Sequence, residues 1–257
     1  MAEPSGLEVR GLSVRFGGIQ AVADLTFSAP VGRITGLIGP NGAGKSTTFN
    51  ACCGLAPVES GTVHFAGVDI TRASTPARAR LGLGRTFQKM ELYDSLTVAE
   101  NVALGRAARL AGASPLRLAL SRGAERAETA EVAAWALETC AIGHLARAGA
   151  GDLATGQRRL VELARALAGR YELLLLDEAS SGLDQGETAA VGEILRRVVA
   201  EEGLGVLIVE HDMDLVMALC SHLYVLDFGR RIFDGSPAEV RASEVVRRAY
   251  LGQAVAS

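Results

Sequence analysis

The feature that most constrains the fold of this chain is a glycine-rich loop between a strand-sized apolar run and a helix-forming segment. The apolar run is Ile34–Ile38, the loop is Gly39–Ser46, and helix-forming residues follow as far as Cys53. The spacing of glycines, lysine and serine matches the phosphate-binding loop (P-loop), whose backbone N–H groups surround a phosphate chain at a helix start. The sequence therefore predicts a strand–loop–helix unit that binds a nucleoside triphosphate.

Two residues at the end of this loop have predicted chemical roles. Lys45 is expected to bridge the β- and γ-phosphates, and the Ser46 hydroxyl is expected to ligate Mg²⁺. Lysine is informative in this chain, because 24 of its 26 basic residues are arginine and only Lys45 and Lys89 are lysine. The other loop positions expected to contact the nucleotide are Gly39, Asn41, Gly42, Gly44 and Thr47.

A second apolar run ends in two acidic residues. Leu173–Leu176 reads as a buried strand, and Asp177 and Glu178 follow it directly. A carboxylate at this place can hold Mg²⁺ directly or through water, which is the role predicted for Asp177. We expect Glu178 to point toward the γ-phosphate and to polarise the attacking water.

Composition excludes several classes of protein. The chain has 257 residues, 49% of them hydrophobic and 21% charged, which is typical of a globular protein. A net charge of -3 excludes a strongly basic, non-specific nucleic-acid binder. No apolar run approaches the ~20 residues that cross a bilayer. The first residues lack a signal-peptide pattern and the four cysteines lack metal or disulfide spacing, so we expect a cytoplasmic protein with buried thiols.

Strand-like and helix-like segments alternate along the chain, which indicates an α/β fold with a mostly parallel sheet. We expect the P-loop NTPase (RecA-like) type, with an antiparallel β region near Val63–Phe65 and a helical subdomain inserted over 89–155. The predicted single domain covers 1–252, with a catalytic core over 1–88 and 156–236. The tail over 237–257 is expected to be helical and exposed.

Five further segments accompany the loop and the acidic strand end. They are Val14–Gly17, Arg85–Gln88, Leu153–Gln157, Ser181–Asp184 and Val209–Asp212. In this order they resemble, respectively, the adenine-stacking segment, Q-loop, signature, D-loop and switch-histidine segment of ABC transporter ATPases. The resemblance covers nearly the whole chain. It implies ATP and Mg²⁺ as cofactors and ATP hydrolysis as the reaction.

The resemblance also implies roles for single residues. Gln88 would contact Mg²⁺ and water and link the core to the helical subdomain. His211 would support the γ-phosphate, and Phe16 would stack on adenine. The signature and D-loop residues expected to contact nucleotide are Ala154, Thr155, Gly156, Gln157 and Asp184. The nearby arginines Arg158, Arg159 and Arg165 are interpreted as a solvated helix face and ion-pair partners, not as ligands.

Three positions depart from the family pattern. Ala154 stands where the family has a serine whose hydroxyl binds the γ-phosphate, and Thr155 replaces a glycine. Ala179 replaces the proline that usually follows the catalytic glutamate. These changes bear on the contact between the signature and a partner's nucleotide, whereas ATP binding by the loop is still expected.

A narrower resemblance rests on four segments. Ile38–Asn50, Gly84–Gln88, Glu210–Met213 and Ala249–Gly252 are similar to the LIV-type importers of branched-chain amino acids. Within these, the chain is most similar to the longer of the two paired ATPases, the LivG type. Importers of urea, amides and aromatic acids share much of this pattern and remain alternatives for the cargo.

This resemblance implies an assembly at the cytoplasmic face of the cell membrane. Two ATPase subunits, identical or paralogous, would meet head to tail and bind ATP between one P-loop and the other signature. Membrane-spanning permease subunits would dock a short helix in a groove between core and helical subdomain. An extracytoplasmic substrate-binding protein would take part indirectly, and no nucleic acid is expected.

Three other classes of nucleotide-binding protein fit the sequence less well. A soluble ABC ATPase of DNA repair or translation would usually carry long coiled coils or two ATPase units, which this chain lacks. A GTPase needs an Asn-Lys pair in its guanine-reading motif, and neither Lys45 nor Lys89 follows an asparagine. A small-molecule kinase would explain the P-loop but not Gln88, the signature-like segment or His211.

Overall fold

A six-stranded sheet forms the centre of the structure, a computed structural model that describes residues 6–86, 92–111 and 123–254. In hydrogen-bonded order its strands are β10 (Arg230–Gly235), β9 (His222–Asp227), β3 (Ile34–Ile38), β8 (Gly205–Val209), β7 (Leu173–Asp177) and β6 (Leu83–Arg85). Neighbours are parallel except for β9 and β10. The carboxyl ends of β3, β8 and β7 therefore lie side by side, which is where open α/β sheets bind ligands.

A smaller antiparallel sheet covers one face of the central sheet. Its hydrogen-bonded order is β2 (Ile19–Pro30), β1 (Gly6–Phe16), β4 (Ser60–Phe65) and β5 (Val68–Asp69). The apolar side of this sheet packs with one face of β3, β7 and β8 in a single buried cluster. The P-loop helix, α1 (Lys45–Cys53), contributes to the same cluster and so lies between the two sheets.

The remaining helices follow along the chain. They are α2 (Thr75–Leu81), α3 (Val98–Ala111), α4 (Gly123–Thr139), α5 (Thr155–Ala168), α6 (Gln185–Glu202), α7 (Met213–Leu219), α8 (Pro237–Ala242) and α9 (Glu244–Ala254). Helices α3, α4 and α5 pack against one another. Their apolar faces join a second buried cluster on the other face of the central sheet.

Strand β7 shows how the two clusters fix the sheet. Leu173 and Leu175 belong to the cluster between the sheets, whereas Leu174 and Leu176 belong to the cluster under the helices. All four side chains are at most 1% exposed. A strand that is buried on both faces needs a continuous apolar run, and this one delivers Asp177 to the end of the sheet.

The predicted fold class is confirmed, with a mostly parallel core, an antiparallel β region and helices between residues 98 and 139. The four cysteines are buried and free, also as expected. The division of the chain into a core and a subdomain over 89–155 stays a prediction. Helix α5, which begins at its border, packs against α3 and α4, which lie in that segment.

The tail is helical, as predicted, and most of its described residues are exposed, but its apolar side is buried. Val240 and Val246 are 1% and 6% exposed and belong to the cluster under the helices, and Tyr250 packs against that cluster. Burial raises the pKa of Tyr250 to about 12, while a hydrogen bond with the Gly39 backbone opposes this rise. The apolar side of the tail therefore covers the sheet and reaches the first glycine of the P-loop.

Replacement of a leucine in β7 tests the two-sided burial. Leu174→Ala is expected to lower the free energy of unfolding by about 2–5 kcal/mol, because it removes buried methyl groups and leaves a cavity. Leu55→Ala is the matched control, since Leu55 is 50% exposed and its loss should cost less than about 0.5 kcal/mol. Urea unfolding followed by circular dichroism gives both values, and equal losses would contradict the packing described for β7.

Candidate active site

The P-loop is attached by backbone hydrogen bonds to more than its own strand and helix. Within the loop, the Ala43 N–H donates to the Pro40 carbonyl over 3.2 Å. The Gly229 N–H, from the turn between β9 and β10, donates to the Ala43 carbonyl over 3.1 Å, and the Gly229 carbonyl accepts from Ala23 in β2 over 2.8 Å. The turn at Gly229 therefore holds the loop directly, and β2 in turn holds that turn.

Two of the predicted glycines are required by close contacts. Gly44 has a φ of 97°, and a Cβ there would lie 2.6 Å from the Ala21 carbonyl oxygen. A Cβ at Gly39, whose φ is 150°, would lie 2.2 Å from the Leu226 carbonyl oxygen. A side chain at either position would displace neighbouring backbone, so the tight turn of the loop depends on these glycines.

The Lys45 ammonium lies inside the loop. It donates to the Gly39 and Pro40 carbonyl oxygens over 2.6 and 2.8 Å, and the residue is 6% exposed. Burial lowers the pKa of Lys45, and the nearby Glu178 and Asp177 carboxylates oppose that shift. An ammonium has three donors, so two hold the loop and one is available to a ligand.

The other predicted loop residues lie around this ammonium at the start of α1. Asn41, Gly42 and Ser46 are exposed, and Thr47 is half-buried. The first turn of α1 contains no acidic residue. Its unpaired backbone N–H groups and positive dipole end therefore favour an anion such as a phosphate.

Asp177 lies at the end of β7 and is 2% exposed. Its Oδ2 accepts from Arg85 Nη2 over 3.0 Å, whereas its Oδ1 is buried and has no hydrogen-bond partner among the described residues. Burial raises the pKa of Asp177 above its ordinary value, and the Arg85 guanidinium opposes that rise. The sequence interpretation gave Arg85 no role. The one sequence feature that could have pointed to Arg85 is its charge, since the other residues of β6 are apolar.

Glu178 and His211 meet across the ends of β7 and β8. His211 Nε2 lies 2.9 Å from Glu178 Oε1. Because an ionised carboxylate can only accept, the hydrogen of this contact belongs to Nε2. Glu178 has a φ of 53°, and its N–H donates to the Val209 carbonyl over 2.8 Å. This left-handed conformation is uncommon for a residue other than glycine.

A second buried acid supports this pair. Glu210, 4% exposed, accepts from the Ser180 N–H over 2.7 Å and from the Ser180 hydroxyl over 2.8 Å. Burial raises the pKa of Glu210, while these bonds and the His211 N–H oppose the rise. Glu210 thus joins the segment that carries His211 to the turn after Glu178. The sequence interpretation missed it, because its partner lies thirty residues away.

The predicted signature residues lie at the start of α5. Ala154 and Thr155 are exposed, and the Gln157 side chain accepts from the Ala154 N–H over 3.1 Å. Gly156 is buried, and a Cβ there would lie 1.8 Å from Glu187 Oε1 on α6. The signature helix therefore rests against α6, while its N-cap Ala154 and its first residue Thr155 are exposed.

The D-loop residue Asp184 caps α6. Its Oδ1 accepts from the Glu187 N–H over 2.8 Å, and Glu187 Oε2 accepts from the Asp184 N–H over 3.1 Å. Arg159 reaches the same loop, because its Nε donates to the Ser181 carbonyl over 3.2 Å and its Nη1 pairs with Glu162. Its side chain is 10% exposed, so Arg159 is an ion-pair partner as expected but not part of a solvated face.

The two remaining predicted site residues are Phe16 and Gln88. Phe16 ends β1, next to the turn at Gly17, and is 49% exposed. Gln88 lies outside the described residues, beyond the end of β6. The structure therefore brings together Lys45, Asp177 and Glu178, and His211 through Glu178.

The oxygen donors present fit a magnesium ion. Mg²⁺ is usually held by one or two protein oxygens together with phosphates and water. Two such oxygens are Asp177 Oδ1, which has no hydrogen-bond partner among the described residues, and the hydroxyl of the exposed Ser46. No group of three or more His, Cys, Asp or Glu in the described ranges could hold a metal alone.

The part of the chain that the structure describes also has no helix long and apolar enough to cross a membrane.

Two protein-family models match the chain. The model described as ABC transporter matches residues 22–181, which is more than half of the chain. The model described as branched-chain amino acid ATP-binding cassette transporter matches residues 230–256, which include the hairpin strand β10 and the tail.

Curated relatives match over nearly their whole lengths. The high-affinity branched-chain amino acid transport ATP-binding protein BraF of Pseudomonas aeruginosa is 36% identical, over 96% of this chain and 98% of that protein. The corresponding LivG protein of Escherichia coli is 35% identical, over 99% of this chain and 100% of that protein. LptB of Escherichia coli, the ATP-binding protein of a lipopolysaccharide export system, is 33% identical, over 96% and 97%.

Solved structures agree with these matches. An ATP-binding cassette of an ABC transporter in its ADP conformation superposes with a TM-score of 0.85 at 31% identity, over 97% of this chain and 100% of that one. A nucleotide-free ATP-binding cassette gives 0.83 at 30% identity, over 95% and 98%. From its strand-end site, its family matches and these relatives, we conclude that the chain belongs to the ABC transporter family, as an ATP-binding cassette.

Proposed function

We propose that this chain binds and hydrolyses ATP to power the uptake of branched-chain amino acids through separate membrane-spanning subunits. The observation that supports ATP hydrolysis is the grouping, at neighbouring strand ends, of Lys45, Asp177, Glu178 and His211. The cargo rests on the relatives and on the family match over 230–256.

Lys45, Ser46 and the N–H groups of the loop would bind the β- and γ-phosphates. Ser46, Asp177 and Gln88 are the residues proposed to hold Mg²⁺, which when bound would neutralise phosphate charge. Asn41 and Thr47, two polar residues of the same loop, are proposed to contact the nucleotide. Phe16 is proposed to stack on adenine. Its exposed ring at the end of β1 supports that role.

Glu178 is proposed as the base for hydrolysis. Its carboxylate would accept a proton from a water molecule whose oxygen attacks the γ-phosphorus. The bond from that phosphorus to the bridging oxygen then breaks, which releases ADP and inorganic phosphate. His211 Nε2–H, which donates to Glu178 in this structure, would donate to the γ-phosphate when nucleotide is bound.

The exposed start of α5 supports a contact in trans with the nucleotide of a second ATPase subunit. Ala154, Thr155, Gly156 and Gln157 would reach that nucleotide, along with Asp184 of the D-loop. ATP would favour a closed head-to-tail dimer, since it touches both subunits there and only one when the dimer is open. Permease subunits would turn this closure into transport at the cytoplasmic face of the membrane.

Removal of the loop ammonium tests the phosphate site. Lys45→Ala is expected to weaken ATP binding by about 10–100-fold, the loss of a charged hydrogen bond, and to abolish turnover. Phosphate release and binding of a fluorescent ATP analogue measure the two effects. The control is Arg10→Ala, which removes a charge from an exposed side chain of β1. Normal turnover by Lys45→Ala would refute the assignment of the P-loop.

The role of Glu178 is tested by a nearly isosteric change. Glu178→Gln is expected to bind ATP with unchanged affinity but to hydrolyse it about 10²–10⁴-fold more slowly, because the amide cannot accept the water proton. Glu201→Gln, in the exposed last turn of α6, serves as the control. Undiminished turnover in single-turnover assays would remove Glu178 from the mechanism.

Transport of leucine tests the cargo. A strain that lacks this gene should lose uptake of labelled leucine at low concentration, and the wild-type gene but not Lys45→Ala should restore it. Unchanged uptake in that strain would argue against branched-chain amino acids and in favour of urea, an amide or an aromatic acid. Because LptB serves an export system at similar identity, this measurement carries more weight than the relatives alone.

A further inference from the structure

Arg85 links two parts of the proposed site. Its Nη2 donates to Asp177 Oδ2 over 3.0 Å, and its Nη1 donates to Asn50 Oδ1 over 2.6 Å. Asn50 belongs to α1, the helix that begins with Lys45 and Ser46, whereas Asp177 ends β7. One planar guanidinium therefore ties the carboxylate of one element to the helix of the other.

The pair is buried, so its geometry is restricted. The side chains of Arg85 and Asp177 are 10% and 2% exposed. The Arg85 guanidinium carbon also lies 5.8 Å from the centre of the Phe49 ring, which belongs to α1. Thr86 adds a backbone link, because its N–H donates to the Leu175 carbonyl over 2.9 Å. An ion pair held in this way has little freedom to rotate.

The two oxygens of Asp177 have different surroundings. Oδ2 is engaged by Arg85, whereas Oδ1 is buried without a hydrogen-bond partner among the described residues. A buried carboxylate oxygen without a partner is costly unless a ligand satisfies it. Arg85 thus engages one oxygen and leaves the other for a cation.

We propose that Arg85 is a positioning residue for the divalent cation that accompanies the nucleotide. It orients the Asp177 carboxylate so that Oδ1 faces the cation, and through Asn50 it fixes that oxygen relative to the Ser46 hydroxyl on α1. This inference rests on the proposed function of the site. Lysine cannot replace arginine in this role, because one ammonium lacks the planar fork that spans two acceptors.

The test compares two buried arginines. Arg78, 2% exposed, donates to the carbonyl oxygens of Ala51, Cys52, Thr71 and Ala73 and has no role in the proposed chemistry. Arg85→Lys and Arg78→Lys therefore both replace a buried guanidinium while keeping its charge. Binding of a fluorescent ATP analogue is titrated first in EDTA and then against rising Mg²⁺, and melting temperatures are recorded in parallel.

For Arg85→Lys we expect affinity in EDTA within about twofold of the wild type, and a Mg²⁺ midpoint at least about 10-fold higher. Loss of a partner that orients a metal ligand typically costs 10–100-fold in metal affinity. Arg78→Lys should lower the melting temperature and leave the Mg²⁺ midpoint unchanged. An unchanged midpoint in Arg85→Lys, with a normal wild-type response, would overturn the inference and leave the proposed ATPase standing.

If Arg85→Lys does not fold, a second variant tests the same inference. Asn50→Ala removes only the hydrogen bond of Arg85 to α1 and keeps its contact with the Phe49 ring, so it should move the Mg²⁺ midpoint in the same direction by a smaller factor. An unchanged midpoint in this variant would also overturn the inference. If the wild type itself showed no dependence on Mg²⁺, the metal part of the proposed function would fail, and the inference with it.

Discussion

The site depends on the parallel alignment of β3, β8 and β7, whose register brings three short segments to one end of the sheet. β3 leads into the P-loop, β8 into Glu210 and His211, and β7 into Asp177 and Glu178. The strands are buried on both faces, so a shift of register by one residue would place leucines where acids now stand. The apolar core and the chemistry of the site are thus two consequences of the same alignment.

The buried charges of Lys45, Asp177 and Arg85 lie together at this end of the sheet. Lys45 lies near Asp177 and Glu178, and Asp177 pairs with Arg85. A lone buried charge would be far more costly than these groups, whose opposite signs offset part of the loss of hydration. Burial moves the pKa of Lys45 downward and that of Asp177 upward. Each shift is opposed by the partner charges, which favour the ionised forms that phosphate and metal binding need.

Sequence reasoning predicted the elements that depend on local pattern. The strand–loop–helix unit around Gly39–Ser46, the acidic end of β7 and the alternation of strands and helices all follow from short-range periodicity and spacing. It missed contacts between residues far apart in sequence. Arg85 and Asp177 are separated by 92 positions, and Glu210 and Ser180 by 30. Sequence reasoning also did not predict that Val240 and Val246 of the tail are buried, because a local pattern does not show which surface of the sheet other elements leave uncovered.

The two hydrogen bonds of Gly229 have a practical consequence for hybrid proteins. They make the turn between β9 and β10 a structural part of the P-loop, although the family match to the C-terminal segment begins at the next residue, 230. A chimera that exchanges that segment between relatives and is joined at this boundary would place its junction beside the proposed phosphate site. A junction after Gly235, where β10 ends, would keep the hairpin and the loop from the same parent. Any remaining difference between such hybrids could then be attributed to α8 and α9.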